Sequence, residues 1–190
     1  YINAILKVGF DVVDFGSFVS HMAIPQLKDT VDVLNLLDLS ETKSKLLTIV
    51  ANERGASEAV EFESIDILGF PFSVSEKFQL RNTNVTRLEA LDSVKRMLDI
   101  TTSNNKRLRI YLSMGFGNPY GEEYSPEIVL DWASRLNEIG IEELALSDTI
   151  GVAGKSIISP LFKSLKKELP STEISAHFHS APHNWQEKVD

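Results

Sequence analysis

Two histidines separated by one residue, His177 and His179, carry the clearest chemical signal in the chain. They end a short apolar segment, residues 173–177, that is typical of a β-strand. Because successive side chains of a strand point to opposite faces, both imidazoles point the same way. Neutral imidazole nitrogens bind divalent metals well, so the pair predicts two adjacent positions of a metal site. Hydrogen-bonded or surface histidines are the alternative, and that is how we interpret His183, which has no comparable partner.

A second candidate, Asp148, follows another apolar segment, residues 142–146, and belongs to a Ser-Asp-Thr-Ile-Gly run at 147–151. Beyond the end of a strand, this carboxylate is a candidate general base, an acceptor beside a metal, or a group that positions a hydroxyl. Asp and Thr before Gly suit a helix N-cap or an Asx-turn equally well. The residues alone leave these interpretations open.

Two further segments contain polar residues close to predicted strands. Asp14 stands near the end of the apolar segment 10–15, and a buried carboxylate there would need a hydrogen bond or an opposite charge. Residues 118–121 read Asn-Pro-Tyr-Gly, which has the chemistry of a β-turn, and a plain turn is favoured over a pocket wall.

These residues depend on elements that alternate along the chain. Short apolar segments predict six strands, at residues 10–15, 45–50, 65–68, 107–113, 142–146 and 173–177. Amphipathic segments predict helices at residues 25–39, 57–62, 126–139 and 156–168, and one or two more within 73–103 with a break at 81–84. Alternation of this kind implies a parallel sheet with right-handed crossovers.

Two architectures fit that pattern, a closed (β/α)8 TIM barrel and an open doubly wound sheet. A barrel gathers its functional groups at the C-terminal ends of many strands, whereas an open sheet binds at one switch point. Candidate polar residues lie at or just beyond several strand ends: Asp14, Asn52, Ser113, Asp148, His177 and His179. We therefore predict an α/β TIM barrel, of which this chain supplies about six units, with one unit missing at each end. A single catalytic domain is expected over residues 1–190.

Composition argues against several classes of partner. A net charge of −8 without a dense basic patch disfavours nucleic acid and anionic membranes. The absence of cysteine excludes a disulfide, a thiolate metal site and a thiol nucleophile in these residues, and favours the cytoplasm. The segment before Gly9 has the pattern of a helix end, so further sequence is expected before Tyr1. A homodimer is the default assembly.

Several short motifs occur together in one order: Ser-Phe-Val-Ser at 17–20, Pro-Gln at 25–26, Pro-Tyr at 119–120, Ser-Pro at 125–126, Asp-Thr-Ile-Gly at 148–151 and His-Phe-His at 177–179. In order and spacing they resemble the hydroxymethylglutaryl-CoA lyases, of the metal-dependent lyase and Claisen-condensing barrel superfamily, across nearly the whole chain. The first two motifs and Asp-Thr-Ile-Gly are rather specific to the lyase branch. His-x-His is shared with the isopropylmalate, homocitrate and citramalate synthases.

The resemblance implies a function and a set of residues. A lyase of this family cleaves 3-hydroxy-3-methylglutaryl-CoA, an acyl-CoA, to acetyl-CoA and acetoacetate by a metal-assisted retro-Claisen reaction. The metal is Mg²⁺ or Mn²⁺, with Asp148 beside it, and Asp14 stands where the family usually has a glutamate near its catalytic arginine. The implied site comprises the metal ligands His177 and His179, the catalytic residues Asp14 and Asp148, and the substrate-binding residues Ser17, Ser113 and Thr149.

Some positions depart from the family's pattern. Ser180 replaces an aspartate, Ser147 replaces a glycine, and residues 181–185 replace a Thr-Tyr-Gly run. The family's arginine and metal-binding aspartate would lie before Tyr1, and its cysteine loop and asparagine ligand after Asp190. Two alternatives stay open: a condensing synthase that uses acetyl-CoA and a 2-oxo acid, and a barrel without chemistry that serves as a binding module.

Overall fold

A computed structural model of the protein describes residues 1–189 and contains six strands separated by helices. The strands are β1 (Val12–Ser17), β2 (Lys45–Ile49), β3 (Ile65–Ser73), β4 (Arg107–Ser113), β5 (Glu143–Asp148) and β6 (Glu173–Phe178). The helices are α1 (Ile2–Leu6), α2 (Thr30–Asn35), α3 (Glu53–Val60), α4 (Glu76–Thr83), α5 (Arg87–Ser103), α6 (Pro126–Glu138), α7 (Lys155–Glu168) and α8 (Trp185–Val189). This alternation confirms the predicted α/β class.

The six strands form a sheet whose order follows the chain from β1 to β6. β1 pairs with β2, β2 with β3, β4 with β5 and β5 with β6, in each case in parallel. A parallel pair requires a crossover connection, and helices supply it between successive strands. Within each parallel pair, the C-terminal ends of the two strands lie at the same edge.

The chain divides into two compact units. The first comprises Tyr1–Phe70 and Arg96–Leu108, and it is packed around the fully buried strand residues Leu46, Leu47, Ile65 and Ile67. The second comprises Pro71–Lys95 and the chain from Arg109 onward; its buried core includes Ile110, Leu112, Leu144, Leu146, Leu136 and Leu165. A single catalytic domain over 1–190 stays a prediction.

Burial of both faces explains the sequence of the middle strands. Every residue of β5 is buried, and β3 is buried at all but two positions. Strands covered on both faces read as continuous apolar runs and show no alternation. In β6 every residue is exposed or only partly buried.

The structure corrects several predicted boundaries, among them those of α3, which begins at Glu53 and not at Ser57. β3 continues to Ser73, whereas the sequence predicted an end at Leu68, because Gly69 and Pro71 are usual strand breakers. Burial of Phe70 and Phe72 keeps the segment extended. The helix predicted over 25–39 is instead a 3-10 turn at Pro25–Leu27 followed by the shorter α2.

A side-chain contact defines the start of α2, and a backbone conformation defines the end of α4. The Thr30 hydroxyl accepts from the Ser17 amide at 3.2 Å and donates to the Leu27 carbonyl at 2.8 Å, which ties the start of α2 to β1. The predicted break between α4 and α5 is confirmed, since Asn84 ends α4 in the left-handed conformation with φ of 60°. Across residues 1–189, none of the helices combines the length and apolar character of a membrane span.

Candidate metal centre

His177 and His179 lie at the C-terminal end of β6 with their rings side by side. His177 belongs to the strand and His179 follows its last residue, so the two side chains leave the chain on one face. Their Nε2 atoms are 3.2 Å apart, and the ring planes meet at 64°. The structure therefore brings the two predicted metal ligands together.

The spacing of these nitrogens fits a shared metal ion. Imidazole nitrogens bind divalent cations at about 2.1 Å, so two adjacent ligands of one ion lie about 3.0 to 3.4 Å apart. The observed 3.2 Å falls within that interval without any change of rotamer. Within residues 1–189, no cluster of three or more histidine, aspartate and glutamate side chains is arranged to hold a metal. The described residues thus offer two adjacent positions of a coordination sphere.

The surroundings of His177 favour its neutral form. Burial and the nearby His179 both lower the pKa of His177 from its ordinary value. The ring of Tyr111, from β4, packs edge-on against His177 with a centroid separation of 5.3 Å. A neutral ring offers a free nitrogen lone pair, which is the form that a metal binds.

Asp148 is the last residue of β5, and its carboxylate is almost completely buried, with 1% of the residue exposed. Its Oδ1 accepts from the Val152 amide at 2.8 Å, and its Oδ2 accepts from the Ala153 amide at 3.1 Å. These bonds fold the loop after β5 back onto the carboxylate. They reach the amides four and five residues on, whereas an Asx-turn bonds the amide two residues on, and the N-cap of α7 is Gly154. Burial and the charge of Asp148 raise the pKa of Tyr124 to about 12.

The register of β5 and β6 separates Asp148 from the histidine rings. Ser147 pairs with His177, and Asp148 pairs with Phe178, the residue between the histidines. Paired residues of neighbouring strands share a face, so Asp148 is on the face of Phe178 and Ser147 is on the face of His177. The residue beside the histidines on β5 is Ser147, where the family's pattern has glycine.

Lys188 completes the surroundings of Asp148. Its ammonium group forms an ion pair with Asp148 Oδ2, and both side chains are nearly fully buried. Its Nζ also donates to the main-chain carbonyl of His179 at 2.9 Å and lies 5.9 Å from the centre of the Phe178 ring. One cation of α8 thus contacts the ends of both β5 and β6.

The loop after β4 is attached to the end of β5 through Thr149. The Thr149 hydroxyl accepts from the Met114 amide at 2.8 Å and is 3.4 Å from the Ser147 carbonyl. Met114 adopts the left-handed conformation with φ of 58°, which this bond stabilises. Ser113, the last residue of β4, is buried, and its carbonyl accepts from the Val74 amide at 3.1 Å.

Asp14 and Ser17 lie on β1, in the first unit. Asp14 is exposed. Ser17 is buried, and its hydroxyl donates to the Ile49 carbonyl of β2 at 3.1 Å. His183, interpreted as structural or exposed, is exposed in the turn before α8.

Sequence reasoning missed Lys188 and Tyr111. Side chains alternate between the two faces of β4, so Tyr111 shares a face with the predicted site residue Ser113. This alternation could have identified the tyrosine from the sequence. No local pattern identifies Lys188, because its partner Asp148 is 40 residues away in the chain.

Comparison with known proteins identifies the family of this chain. The family model described as HMGL-like matches residues 1–181. The chain belongs to the HMGL-like family. The hydroxymethylglutaryl-CoA lyase YngG of Bacillus subtilis is 32% identical over 179 residues, which are 94% of this chain and 59% of that protein. The chain therefore spans less than two thirds of the length of this HMGL-like relative.

Solved structures agree with the assignment. The crystal structure of the HMG-CoA lyase of Bacillus subtilis superposes with a TM-score of 0.90 at 31% identity, over 99% of this chain and 63% of that chain. An HMG-CoA lyase from Acinetobacter baumannii in complex with coenzyme A and 3-methylmalate has a TM-score of 0.90 at 23% identity, over 99% and 61% of the two chains. The first match confirms that this HMGL-like chain is part of a TIM barrel, and the second shows the fold alone.

Proposed function

We propose that this chain is the greater part of a metal-dependent carbon–carbon lyase that cleaves 3-hydroxy-3-methylglutaryl-CoA to acetyl-CoA and acetoacetate. The observation that carries the proposal is the histidine pair at the end of β6, with its Nε2 atoms 3.2 Å apart. Barrel enzymes build their active sites at this end of the strands. Membership of the HMGL-like family and 32% identity to a hydroxymethylglutaryl-CoA lyase support the choice of reaction.

In this proposal His177 and His179 hold a divalent cation, Mg²⁺ or Mn²⁺, through Nε2. The cation would supply Lewis-acid polarisation of substrate oxygens. Low pKa keeps His177 neutral at neutral pH, so the nitrogen needs no deprotonation before it binds. Tyr111 supports the His177 ring from the side, which limits its rotation.

The two aspartates have different proposed roles. Cleavage requires a base for the proton of the 3-hydroxyl group while the bond between C2 and C3 breaks and acetoacetate leaves. The electron pair then passes to the acetyl-CoA enolate, which takes a proton at carbon. We assign the proton transfer to Asp14, whose exposed carboxylate is accessible to a substrate. Asp148 shapes the loop after β5 through its bonds to the Val152 and Ala153 amides.

Ser17, Ser113 and Thr149 are the proposed substrate-binding residues. Each stands at or just beyond a strand end, at the edge where ligands bind in barrels. The hydroxyls of Ser17 and Thr149 already bond main-chain groups, so their contribution is to hold the strand ends that face the substrate. The acyl-CoA is the expected partner, and the solved relative with bound coenzyme A supports this class.

Location and assembly are proposals from composition. The net charge of −8 and the absence of cysteine are consistent with a cytoplasmic protein that binds neither nucleic acid nor membranes. A homodimer is proposed as the commonest symmetric assembly.

A direct assay tests the reaction. We expect the full-length protein with Mg²⁺ or Mn²⁺ to release acetoacetate from 3-hydroxy-3-methylglutaryl-CoA. Replacing either ligand, His177→Ala or His179→Ala, should reduce kcat at least about 100-fold, since metal activation depends on both nitrogens. Coupled detection of acetoacetate and acetyl-CoA measures the rate.

His183→Ala is the matched control, because His183 is an exposed histidine of the same segment outside the pair. It should retain wild-type turnover. Full activity in both ligand variants would overturn the metal assignment. Release of free CoA only from acetyl-CoA plus a 2-oxo acid would favour a condensing synthase, and no activity with either substrate set would favour a binding module.

A further inference from the structure

We infer that Lys188 is a positioning residue that holds His179 from the face of β6 opposite the imidazoles. The inference deepens the proposed function, since it concerns how the histidine pair keeps its direction. The inference rests on two contacts of the Lys188 ammonium group, which forms an ion pair with the buried Asp148 carboxylate and donates to the carbonyl oxygen of His179.

The faces of β6 separate Lys188 from the histidine rings. Phe178 alternates with His177 and His179, so its ring projects from the other face of the strand. Lys188 Nζ lies 5.9 Å from the centre of that ring, and Asp148 shares the same face through its pairing with Phe178. Lys188 therefore acts behind the ligands and has no need to touch substrate.

His179 is held by contacts to its main chain. The Lys188 bond at 2.9 Å fixes the peptide plane that follows His179, just beyond the end of the regular strand. Gly151, with φ of 72°, lies beside the same peptide, where an added Cβ would be in ordinary van der Waals contact, 3.5 Å from the His179 oxygen. A fixed peptide restrains the direction of the Cα–Cβ bond of His179 and the side-chain rotamers that this backbone allows, and so limits the positions that Nε2 can take.

Asp148 makes this arrangement stable. A buried ammonium group requires a compensating charge, and Asp148 Oδ2 provides it. The same carboxylate holds the amides of Val152 and Ala153, so the loop that contains Gly151 and the lysine that bonds His179 share one anchor. The end of β5 thereby determines the geometry at the end of β6.

The test measures metal binding directly. In the full-length protein we expect Lys188→Met, which keeps the chain length and removes the charge, to weaken Mn²⁺ binding about tenfold, as for other residues that orient ligands. Electron paramagnetic resonance of free Mn²⁺ gives the dissociation constant without any substrate. Lys188→Arg, which keeps a donor and a charge, should restore part of the loss. Lys166→Met, at an exposed lysine of α7, is the matched control and should bind as wild type.

A second variant keeps the inference testable if Lys188→Met does not fold. Lys188→Met leaves Asp148 as an uncompensated buried charge, whereas the double variant Asp148→Asn with Lys188→Met leaves none. The double variant should fold and still bind Mn²⁺ more weakly than wild type. Wild-type affinity in a folded variant without Lys188 would overturn this inference and leave the proposed function intact. Absence of Mn²⁺ binding in the wild-type protein would overturn the metal site, and this inference with it.

Discussion

Two neighbouring imidazoles bind one cation only if both stay neutral and correctly aimed. At 3.2 Å between Nε2 atoms, protonation of both rings would place two positive charges in contact. Burial and His179 lower the pKa of His177, so the structure disfavours that state. At the residue scale, the proposed metal site therefore depends on a histidine, His177, whose lowered pKa favours the neutral form that a metal binds.

We expect the fold to lose stability as His177 becomes protonated. The pKa of His177 is near its ordinary value of 6.5 in the unfolded chain and is lowered in the folded protein. Between those two values the unfolded chain binds more protons, so stabilisation present above 6.5 declines as the pH falls through the folded pKa. Urea unfolding of the metal-free protein at several pH values across this range measures the free energy of unfolding.

The expected change in the free energy of unfolding is small because His177 is exposed to solvent. His177→Gln should flatten the dependence of the free energy of unfolding on pH. Identical pH slopes in the wild-type protein and His177→Gln would contradict the expected protonation.

At the scale of elements, close backbone contacts position the loops at the strand ends. Gly55 in the first turn of α3 lies against the loop after β1, and an added Cβ there would be 2.3 Å from the Phe18 carbonyl oxygen. The Gly55 amide also donates to Oδ1 of Asn52, the N-cap residue of α3, at 3.0 Å. No side chain fits at this position without moving the backbone.

Gly55→Ala should therefore destabilise the protein by about 1 to 3 kcal/mol, the usual cost of overpacking a buried contact. Any gain from the higher helix propensity of alanine is smaller than this. Thermal and urea unfolding give the change. Ser57→Ala, at an exposed position of the same helix, is the control and should stay within about 0.5 kcal/mol of wild type. A stabilised Gly55→Ala protein would refute the close contact.

At the scale of the whole molecule, the chain is a portion of an HMGL-like barrel. It covers 63% of the length of the superposed HMG-CoA lyase from Bacillus subtilis. Within residues 1–189, the histidine pair is not part of a cluster of three or more histidine, aspartate or glutamate residues that could hold a metal. The dissociation constant of the metal should therefore be measured with the full-length protein.

Metal binding should stabilise that protein. A ligand that binds only the folded state adds RT ln(1 + [L]/Kd), or about 2.7 kcal/mol at 100 times Kd. We expect Mn²⁺ to raise Tm in a concentration-dependent way and EDTA to reverse the rise. The double variant His177→Ala with His179→Ala should show no rise, and an equal rise in that variant would place the stabilising ion elsewhere.

The sequence predicted much of the fold because its signals are local. Each strand from β1 to β6 was found from a short apolar segment, and the break at Asn84 was found from a polar run. β3 was predicted too short since Gly69 and Pro71 usually end strands, whereas burial of Phe70 and Phe72 continues this one. Local propensity is weaker than burial in a packed sheet.

By itself the sequence determined the histidine pair, since alternation along a strand guarantees that residues two apart share a face. Only the tertiary structure showed what the Asp148 carboxylate contacts, since the residues alone left a catalytic base and a helix N-cap or Asx-turn equally open. Its bonds to Val152 and Ala153 and its ion pair with Lys188 became visible once the chain was folded. Contacts between residues 40 apart depend on how elements pack, and no local spacing encodes them.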